Sequence, residues 1–384
     1  MSAVVIDLRS MEDQRDVVHR AVQALAEGQL VVFPTETVYG IAASALHPDA
    51  VERLLSVKGR RPGQPVTLAV KSAGEARDYV PNMSPLAQRL QRRCWPGPIT
   101  LILPDDHPDG AASLLDPVVR RAVAPSGTIG LRVPSHVMIQ SVLRLAPGPL
   151  ALSSANVSGQ PDAVTGQEVA QALGHAVDLI LDDGRCRFGQ PSTVVRVLGP
   201  RWEILREGVL NRQTLKRLAS YMILLVCTGN TCRSPMAAAL LRRRLADRWH
   251  VPETQLDQHG LWIASAGIAA MTGGRASPEA VAVMRQRGLD LSDHESQPLS
   301  DRLVRFADLL LTMTRGHRDA ILAQWPDAAA RAHVLGRASG DVADPIGGPV
   351  DLYRRCADQI DSFLTPWIDE LDRDPIRGTA ASGG

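Results

Sequence analysis

Long apolar runs are missing from this chain. The longest, such as Met222 to Cys227, fall far short of the roughly 20 residues that a bilayer-spanning helix needs. Charge of one sign is missing too: 42 Lys+Arg against 41 Asp+Glu leave a formal net charge of +1. No global field therefore draws the chain to nucleic acid or to a membrane surface, and such a partner would need a local patch. Cysteine is scarce and irregular. The five residues Cys94, Cys186, Cys227, Cys232 and Cys356 make neither a disulfide framework nor a pair of CxxC hooks. With an odd count and an N-terminus that turns charged too early for a signal peptide, the expected compartment is reducing, hence the cytoplasm. There is no GxxxxGK[ST] phosphate loop, no internal repeat and no low-complexity tract.

What is present is enough for two packed cores. At 384 residues the chain exceeds one ordinary domain, 45% of it is hydrophobic and 22% is charged. Short β-branched runs alternate with helical patterns. Strands are expected over 30–35, 66–70, 99–104, 128–134, 149–154, 178–183, 192–197 and 202–207. Helices are expected in HPDAVERLLSVKG, with Asp49 as N-cap and Gly59 as stop, and in SPLAQRLQRRCW. The step from 178 to 207 is too short for crossover helices, which predicts antiparallel pairing there and a mixed α/β sheet for the first half. After a polar, helix-friendly stretch, ILLVC opens a second run of strictly alternating β and α patterns, with WIASAG, ADLLLTM and AHVLG as further strands. That alternation predicts a small doubly wound parallel sheet. The expected division is a first domain over 1–210, a linker over 211–221, a second domain over 222–373 and a disordered tail over 374–384.

The sharpest chemical signal is Cys227-Thr228-Gly229-Asn230-Thr231-Cys232-Arg233-Ser234-Pro235, directly after an apolar strand and before a helix. A bare pair of Cys and Arg around five residues is more often a buried strand-end cysteine and a surface arginine. The strand–loop–helix setting changes that. Successive backbone N–H groups of a tight loop converge on one point, and the helix N-terminus adds positive potential there. A phosphate fits, and the same field favours an anionic sulfur, which makes Cys227 the nucleophile. Arg233 can grip two phosphate oxygens. Gly229 would let the backbone approach the ligand, Asn230 would pin the loop, and the Ser234 hydroxyl would hydrogen-bond the leaving sulfur. Asp344, in ADPIGGP, is the candidate acid for the leaving group, although an Asp-Pro pair alone reads as a turn.

VCTGNTCRSP, the late DP loop, SAG at 265–267 and TMTRGH at 312–317 together resemble the low-molecular-weight protein-tyrosine phosphatase family over roughly 222–372. The resemblance implies Cys227 as nucleophile, Arg233 as phosphate binder, Asp344 as general acid, a phosphocysteine intermediate and no cofactor. Thr231 stands where tyrosine-directed members carry Ile, and the string is similar to that of bacterial protein-arginine phosphatases. Phosphoarginine in proteins is therefore the expected substrate and phosphotyrosine the alternative. Arsenate reduction is disfavoured, because the next cysteine after Cys232 is Cys356 in the last helix. Cys232 is placed to protect Cys227 as a reversible disulfide. A non-catalytic phospho-group reader is the rival reading, and the retained Cys227 and Asp344 argue against it.

In the first half the signals are dispersed. Lys58, Arg60, Arg132 and Arg206 lie at element ends beside Gly and Pro, where four cations can converge on a polyanion. Ser154 and Asn156 offer a hydroxyl and an amide. Taken singly, each reads as a solvated cation or ordinary turn chemistry. Taken in order, PTETVYG, KGRRPGQP, CWPGPITLIL, TIGLRVP, SSANVSG, PSTVV and ILREG resemble the threonylcarbamoyl-AMP synthase family over roughly 15–210. The paired signatures are Lys58/Arg60 and Ser154/Asn156. The resemblance implies ATP with Mg2+, L-threonine and bicarbonate as substrates. It places Lys58, Arg60, Thr128, Ser154, Asn156 and Arg206 at ATP, and Thr35, Arg132 and Ser192 at threonine. Its product would feed threonylcarbamoyl modification of tRNA. A module that binds double-stranded RNA or tRNA is the competing class, and tRNA-modification proteins are candidate partners. Resident metal sites and membrane partners are not expected, and the absence of cysteine pairs disfavours carbamoyl transfer beside zinc fingers.

Overall fold

The computed structural model describes residues 2–59 and 63–373, with the side chain of Arg373 left aside. Arg60 and the tail over 374–384 lie outside the described residues. The chain divides into two compact units, one ending at Leu215 and the other beginning at Lys216. The point of division falls within a helix, Arg212–Ala219, so the segment expected as a linker is largely helical. Among the described residues no helix is long and apolar enough to cross a membrane.

The first unit carries ten strands: β1 Val4–Asp7, β2 Val31–Phe33, β3 Gly40–Ser44, β4 Thr67–Ala69, β5 Ile99–Pro104, β6 Thr128–Arg132, β7 Leu150–Ser154, β8 Leu179–Asp182, β9 Thr193–Leu198 and β10 Arg201–Arg206. They form one mixed sheet in the order β1-β8-β2-β3-β7-β4-β6-β5-β9-β10. Only part of the expected antiparallel stretch over 178–207 is antiparallel. β9 and β10 do form a hairpin, but β8 pairs in parallel with β1 and β2, while β9 pairs in parallel with β5. The ten residues between β8 and β9 carry the chain from one side of the sheet to the other without a helix. Length alone could not reveal that crossing. Two strands have little sequence signal. β3 is GIAAS, four small residues and Ile41, all buried, and β1 has a single buried residue.

Local chemistry sets the helix ends. In Pro48–Val57 the N-cap is His47, with Pro48 in the first turn, so Asp49 lies inside the helix rather than capping it. Pro48 has no N–H to satisfy and its φ suits the first turn, which moves the start two residues back. Gly59 stops this helix at φ +56°, the left-handed region where a missing Cβ matters. One face of Arg15–Ala26 buries Val17, Val18, Ala21 and Leu25 in the same apolar cluster as Val31, Phe33, Leu152 and Leu181 of the sheet. Each such side chain removed from water contributes about 1.5–3 kcal/mol.

The second unit has four strands, β11 Tyr221–Cys227, β12 Leu261–Gly267, β13 Leu309–Thr312 and β14 Ala332–Val334. All pair in parallel in the order β12-β11-β13-β14. β11 is flanked on both sides, so ILLV is buried on both faces and reads as an unbroken apolar run. The helix Arg233–Trp249 follows, burying Met236, Ala237, Leu240, Leu241 and Leu245. This places Cys227 at the C-terminal end of a central strand, where open α/β sheets bind ligands.

Candidate active sites

In the first unit the sheet register assembles a cleft. Gly40 pairs with Ser154, which lays the loop of Thr35 beside the SSAN turn. The β9–β10 hairpin has a register shift between Ile204 and Arg206, and Arg206 ends opposite Val194. The cleft is lined by Thr35, Arg132, Ser154, Ser192 and Arg206 together with Thr67 and Thr100. Arg206 Nη2 donates to the Ser192 carbonyl at 2.8 Å, and Ser192 Oγ lies 3.1 Å from Thr100 Oγ1. Arg132 Nη2 is paired with Glu36 at 2.7 Å and donates to Thr37 Oγ1 at 2.8 Å, while its buried Nε has no partner. Burial would push the Glu36 carboxyl up. The Arg132 charge and hydrogen bond, with the N–H of Ser135, outweigh that and hold it below its ordinary range. Thr35 Oγ1 donates to the Val38 carbonyl at 2.6 Å, closing its own loop.

Lys58 is placed differently from a phosphate-binding cation. It is 4% exposed. Its Nζ donates to the Ser154 carbonyl at 2.7 Å, to Asn156 Oδ1 at 2.6 Å and to the Asn156 carbonyl. Ser154 Oγ also donates to Asn156 Oδ1, at 2.6 Å. Lys58 and Asn156 thus join the two signatures to each other, and neither lines the cleft. Thr128 opens β6 at the end opposite Arg132 and is not among the cleft-lining residues. Sequence reasoning missed Glu36, Thr37, Thr67 and Thr100. Each lies in a segment it quoted, but a threonine inside a strand carries no signal of its own.

In the second unit the loop after β11 folds around the thiol. Cys227 is 2% exposed. Its Sγ accepts the Asn230 N–H at 3.2 Å and lies 3.0 Å from Ser234 Oγ. Asn230 takes φ +56°, which asparagine tolerates better than most residues. Its side chain donates to Ser234 Oγ and Ser265 Oγ, both at 2.9 Å, and accepts the Gln297 N–H at 2.9 Å. His294 Nε2 meets its carbonyl at 2.7 Å. Arg233 Nη2 reaches Asp344 Oδ2 at 2.5 Å and Thr228 Oγ1 at 3.4 Å. Arg233 is buried, whereas the Asp344 side chain is 43% exposed. Cys232 Sγ lies within 3.5 Å of Ser277 Oγ and Tyr353 Oη. Burial pushes the Cys356 thiol up to about 12, which keeps it inert.

Gly229 is not the crowded glycine. A Cβ there would meet nothing nearer than Thr231 Oγ1 at 3.5 Å. Gly267 is: a Cβ there would lie 2.4 Å from the Thr228 carbonyl and 2.9 Å from the Asn230 nitrogen. SAG thus backs the loop, Ser265 holding Asn230 and Gly267 leaving room for it. TMTRGH also acquires a place, since His317 Nε2 lies 2.9 Å from Thr228 Oγ1. The sequence offered both strings without a role for these residues.

Known proteins resemble each unit separately. The Sua5/YciO/YrdC family, described as telomere recombination, matches residues 23–208. The low molecular weight phosphotyrosine protein phosphatase family matches residues 222–377. A threonylcarbamoyl-AMP synthase of Pyrococcus abyssi is 33% identical over 195 residues, 50% of this chain and 54% of its own length. The chain thus spans about half the length of that relative and of its Bacillus subtilis counterpart. A protein-arginine-phosphatase of Geobacillus stearothermophilus is 37% identical over 155 residues, 39% of this chain and 96% of its own length. The solved structure of a double-alanine variant of P. abyssi Sua5 matches with a TM-score of 0.51 at 26% identity, covering 64% of this chain and 76% of that one. The chain accordingly belongs to two families, its first unit being a Sua5/YciO/YrdC domain of the threonylcarbamoyl-AMP synthase kind and its second a low molecular weight phosphatase domain related to the arginine phosphatases.

Proposed function

We propose that the first unit condenses ATP, L-threonine and bicarbonate into threonylcarbamoyl-AMP and pyrophosphate, for threonylcarbamoyl modification of tRNA. The threonine amine takes up carbon dioxide or bicarbonate to give a carbamate, whose oxygen attacks the α-phosphorus and expels pyrophosphate. The observation that carries this reading is the cleft itself. It gathers two guanidinium groups, Arg132 and Arg206, with the hydroxyls of Thr35, Thr67, Thr100, Ser154 and Ser192, a lining suited to a carboxylate and phosphates rather than to an apolar ligand. No covalent nucleophile is required, because positioning supplies the acceleration. Mg2+ would enter on the nucleotide phosphates. Among the described residues no group of three or more His, Cys, Asp or Glu gathers to hold a metal, and Glu36 is engaged by Arg132. The test is ATP consumption by the full chain. It should require threonine and bicarbonate together, and consumption indifferent to either would overturn the reading.

For the second unit the proposed reaction is hydrolysis of phosphoarginine in proteins. Cys227 Sγ attacks phosphorus, Arg233 holds the phosphoryl oxygens, and Asp344 delivers a proton to the departing guanidine nitrogen. Water then attacks the phosphocysteine, giving up a proton to Asp344 and releasing phosphate and the Cys227 thiolate. What supports the nucleophile is the Asn230 N–H and the Ser234 hydroxyl at the sulfur. What supports arginine over tyrosine is Thr231, a polar side chain at the loop, and Ile346 rather than an aromatic residue after Pro345. Catalytic efficiencies on phosphoarginine and phosphotyrosine peptides test this. Thr231→Ile should move their ratio toward phosphotyrosine, and a wild type that ignores phosphoarginine would refute the choice.

A further inference from the structure

The second unit holds a cleft of about 630 Å3 that the proposed chemistry does not use, lined by Arg315, Arg318, His333, Arg337, Trp367 and Glu370 among others. That volume lies in the range of built ligand sites. Two of its cations are fixed by separate anchors. Arg318 Nε donates to the Ala332 carbonyl at 2.9 Å. Arg337 stacks with Cζ 3.8 Å from the centre of the Trp367 ring and pairs with Glu370 at 2.5 Å. Trp367 is in turn held by its Nε1–H on the Leu335 carbonyl at 2.8 Å.

Arg337 has φ +49°, one of three non-glycine residues in the left-handed region among the described residues. A long side chain adopts that conformation only at an energetic cost. The stack and the ion pair offset it, and the result is a guanidinium presented over a defined wall.

The charges do not cancel. Arg337 is matched by Glu370, and Arg318 is loosely matched by Asp319 at 3.8 Å. Arg315 is held through its backbone N–H by Asp341 at 2.9 Å, and among the described residues nothing accepts from its guanidinium. Arg315 and Arg318 are three apart on one helix, so their side chains rise on the same face. That helix also carries His317, which meets Thr228 of the catalytic loop, and Asp341 precedes Asp344 on the acid loop. The cleft is therefore tied by two short connections to the loop around Cys227 and to the segment that carries Asp344.

We propose that this cleft docks an acidic stretch flanking the phosphorylated residue of a protein substrate, with Arg315 and Arg318 meeting its carboxylates and Arg337 closing one wall. The inference rests on the second unit acting on phosphoproteins. Its size exceeds what a single small anion fills, and the exposed guanidinium pair suits carboxylates bound one above the other.

Binding of phosphopeptides to the full-length Cys227→Ser protein tests it without turnover. A peptide with acidic residues beside the phosphoryl group should bind about fivefold or more tightly than one with neutral flanks, with the advantage falling as salt rises. Arg315→Ala with Arg318→Ala in the same background should erase the difference, whereas the double Lys replacement should keep part of it. Equal affinity for the two peptides, or an advantage that survives the double Ala change, would overturn the proposal. Intact docking in a protein that hydrolyses no phosphopeptide would instead refute the phosphatase reading and leave the cleft standing.

Discussion

Lys58 Nζ donates to Asn156 Oδ1 at 2.6 Å, joining the end of one helix to the turn after β7. A lysine in this place does mechanical work, because Asn156 and the carbonyl of Ser154 are acceptors that water no longer reaches. Lys58→Met should strip the Asn156 carbonyl of its partner and leave Asn156 Oδ1 only the Ser154 hydroxyl, costing the first unit about 1–3 kcal/mol. The same change should abolish ATP consumption with threonine and bicarbonate, since the turn that carries Ser154 into the cleft loses its clamp. Thermal unfolding and ATP turnover read the two effects. A variant that melts like wild type would show that the clamp is idle.

Gly267 and Gly229 should respond oppositely to the same small change. Gly267→Ala drives a methyl group to 2.4 Å from the Thr228 carbonyl, so the loop must shift and phosphatase turnover should fall by orders of magnitude. Gly229→Ala meets only ordinary contact and should retain most activity. Steady-state hydrolysis of a small phosphoester compares the two, and equal damage would mean that the loop is not packed as described.

Removing the sulfur separates chemistry from folding. Cys227→Ser should be folded, should bind phosphate, and should release none from a phosphoester. Asp344→Asn should fold equally well, since the Asp344 side chain is 43% exposed, and should be slowed about 100-fold or more for want of a proton donor. Mass spectrometry of the quenched Asp344→Asn enzyme looks for a phosphorylated Cys227, and turnover by Cys227→Ser would exclude the mechanism.

The second unit should weaken in mild acid. Burial pushes the imidazoles of His294, His317 and His333 below their ordinary value of about 6.5. Near His317 the Arg233 charge acts in the same direction, opposed by Asp344 and Asp341. The unfolded chain then binds more protons than the folded one, so stability is full above about pH 6.5 and is lost as pH falls toward the depressed folded values. Denaturant midpoints of the second unit measured from pH 8 down to pH 5 should decline, and His317→Gln should flatten part of the slope. A midpoint that holds steady over that range would contradict the burial of all three.

The phosphatase loop was legible because its signal is contiguous: strand, anion-binding turn and helix follow one another, and the order of residues is the order in space. The synthase cleft was legible only in outline. Its residues come from β3, β4, β5, β6, β7 and β10 and from the loops before β3 and β9, and a residue such as Thr100 is indistinguishable in sequence from any strand threonine. Lys58 stands out in the sequence only through its place at a helix end and its pairing with Arg60 in the signature, and nothing local announces a partner 98 positions away. β3 was unreadable for another reason. Its GIAAS has no alternation and only one branched side chain, Ile41, and its central place in the sheet makes it a strand.

The side chain of Asn230 binds the catalytic loop to Ser234 on the following helix, to Ser265 on the neighbouring strand and to the backbone of Gln297. A loop tethered at three independent places is a poor target for gradual evolutionary change, because any one substitution disturbs the others. The acid loop beside it is not so constrained: Ile346, two residues after Asp344, is 69% exposed. New substrate preferences can therefore accumulate by drift at the mouth, one residue at a time, while the chemistry beneath is inherited as an indivisible unit.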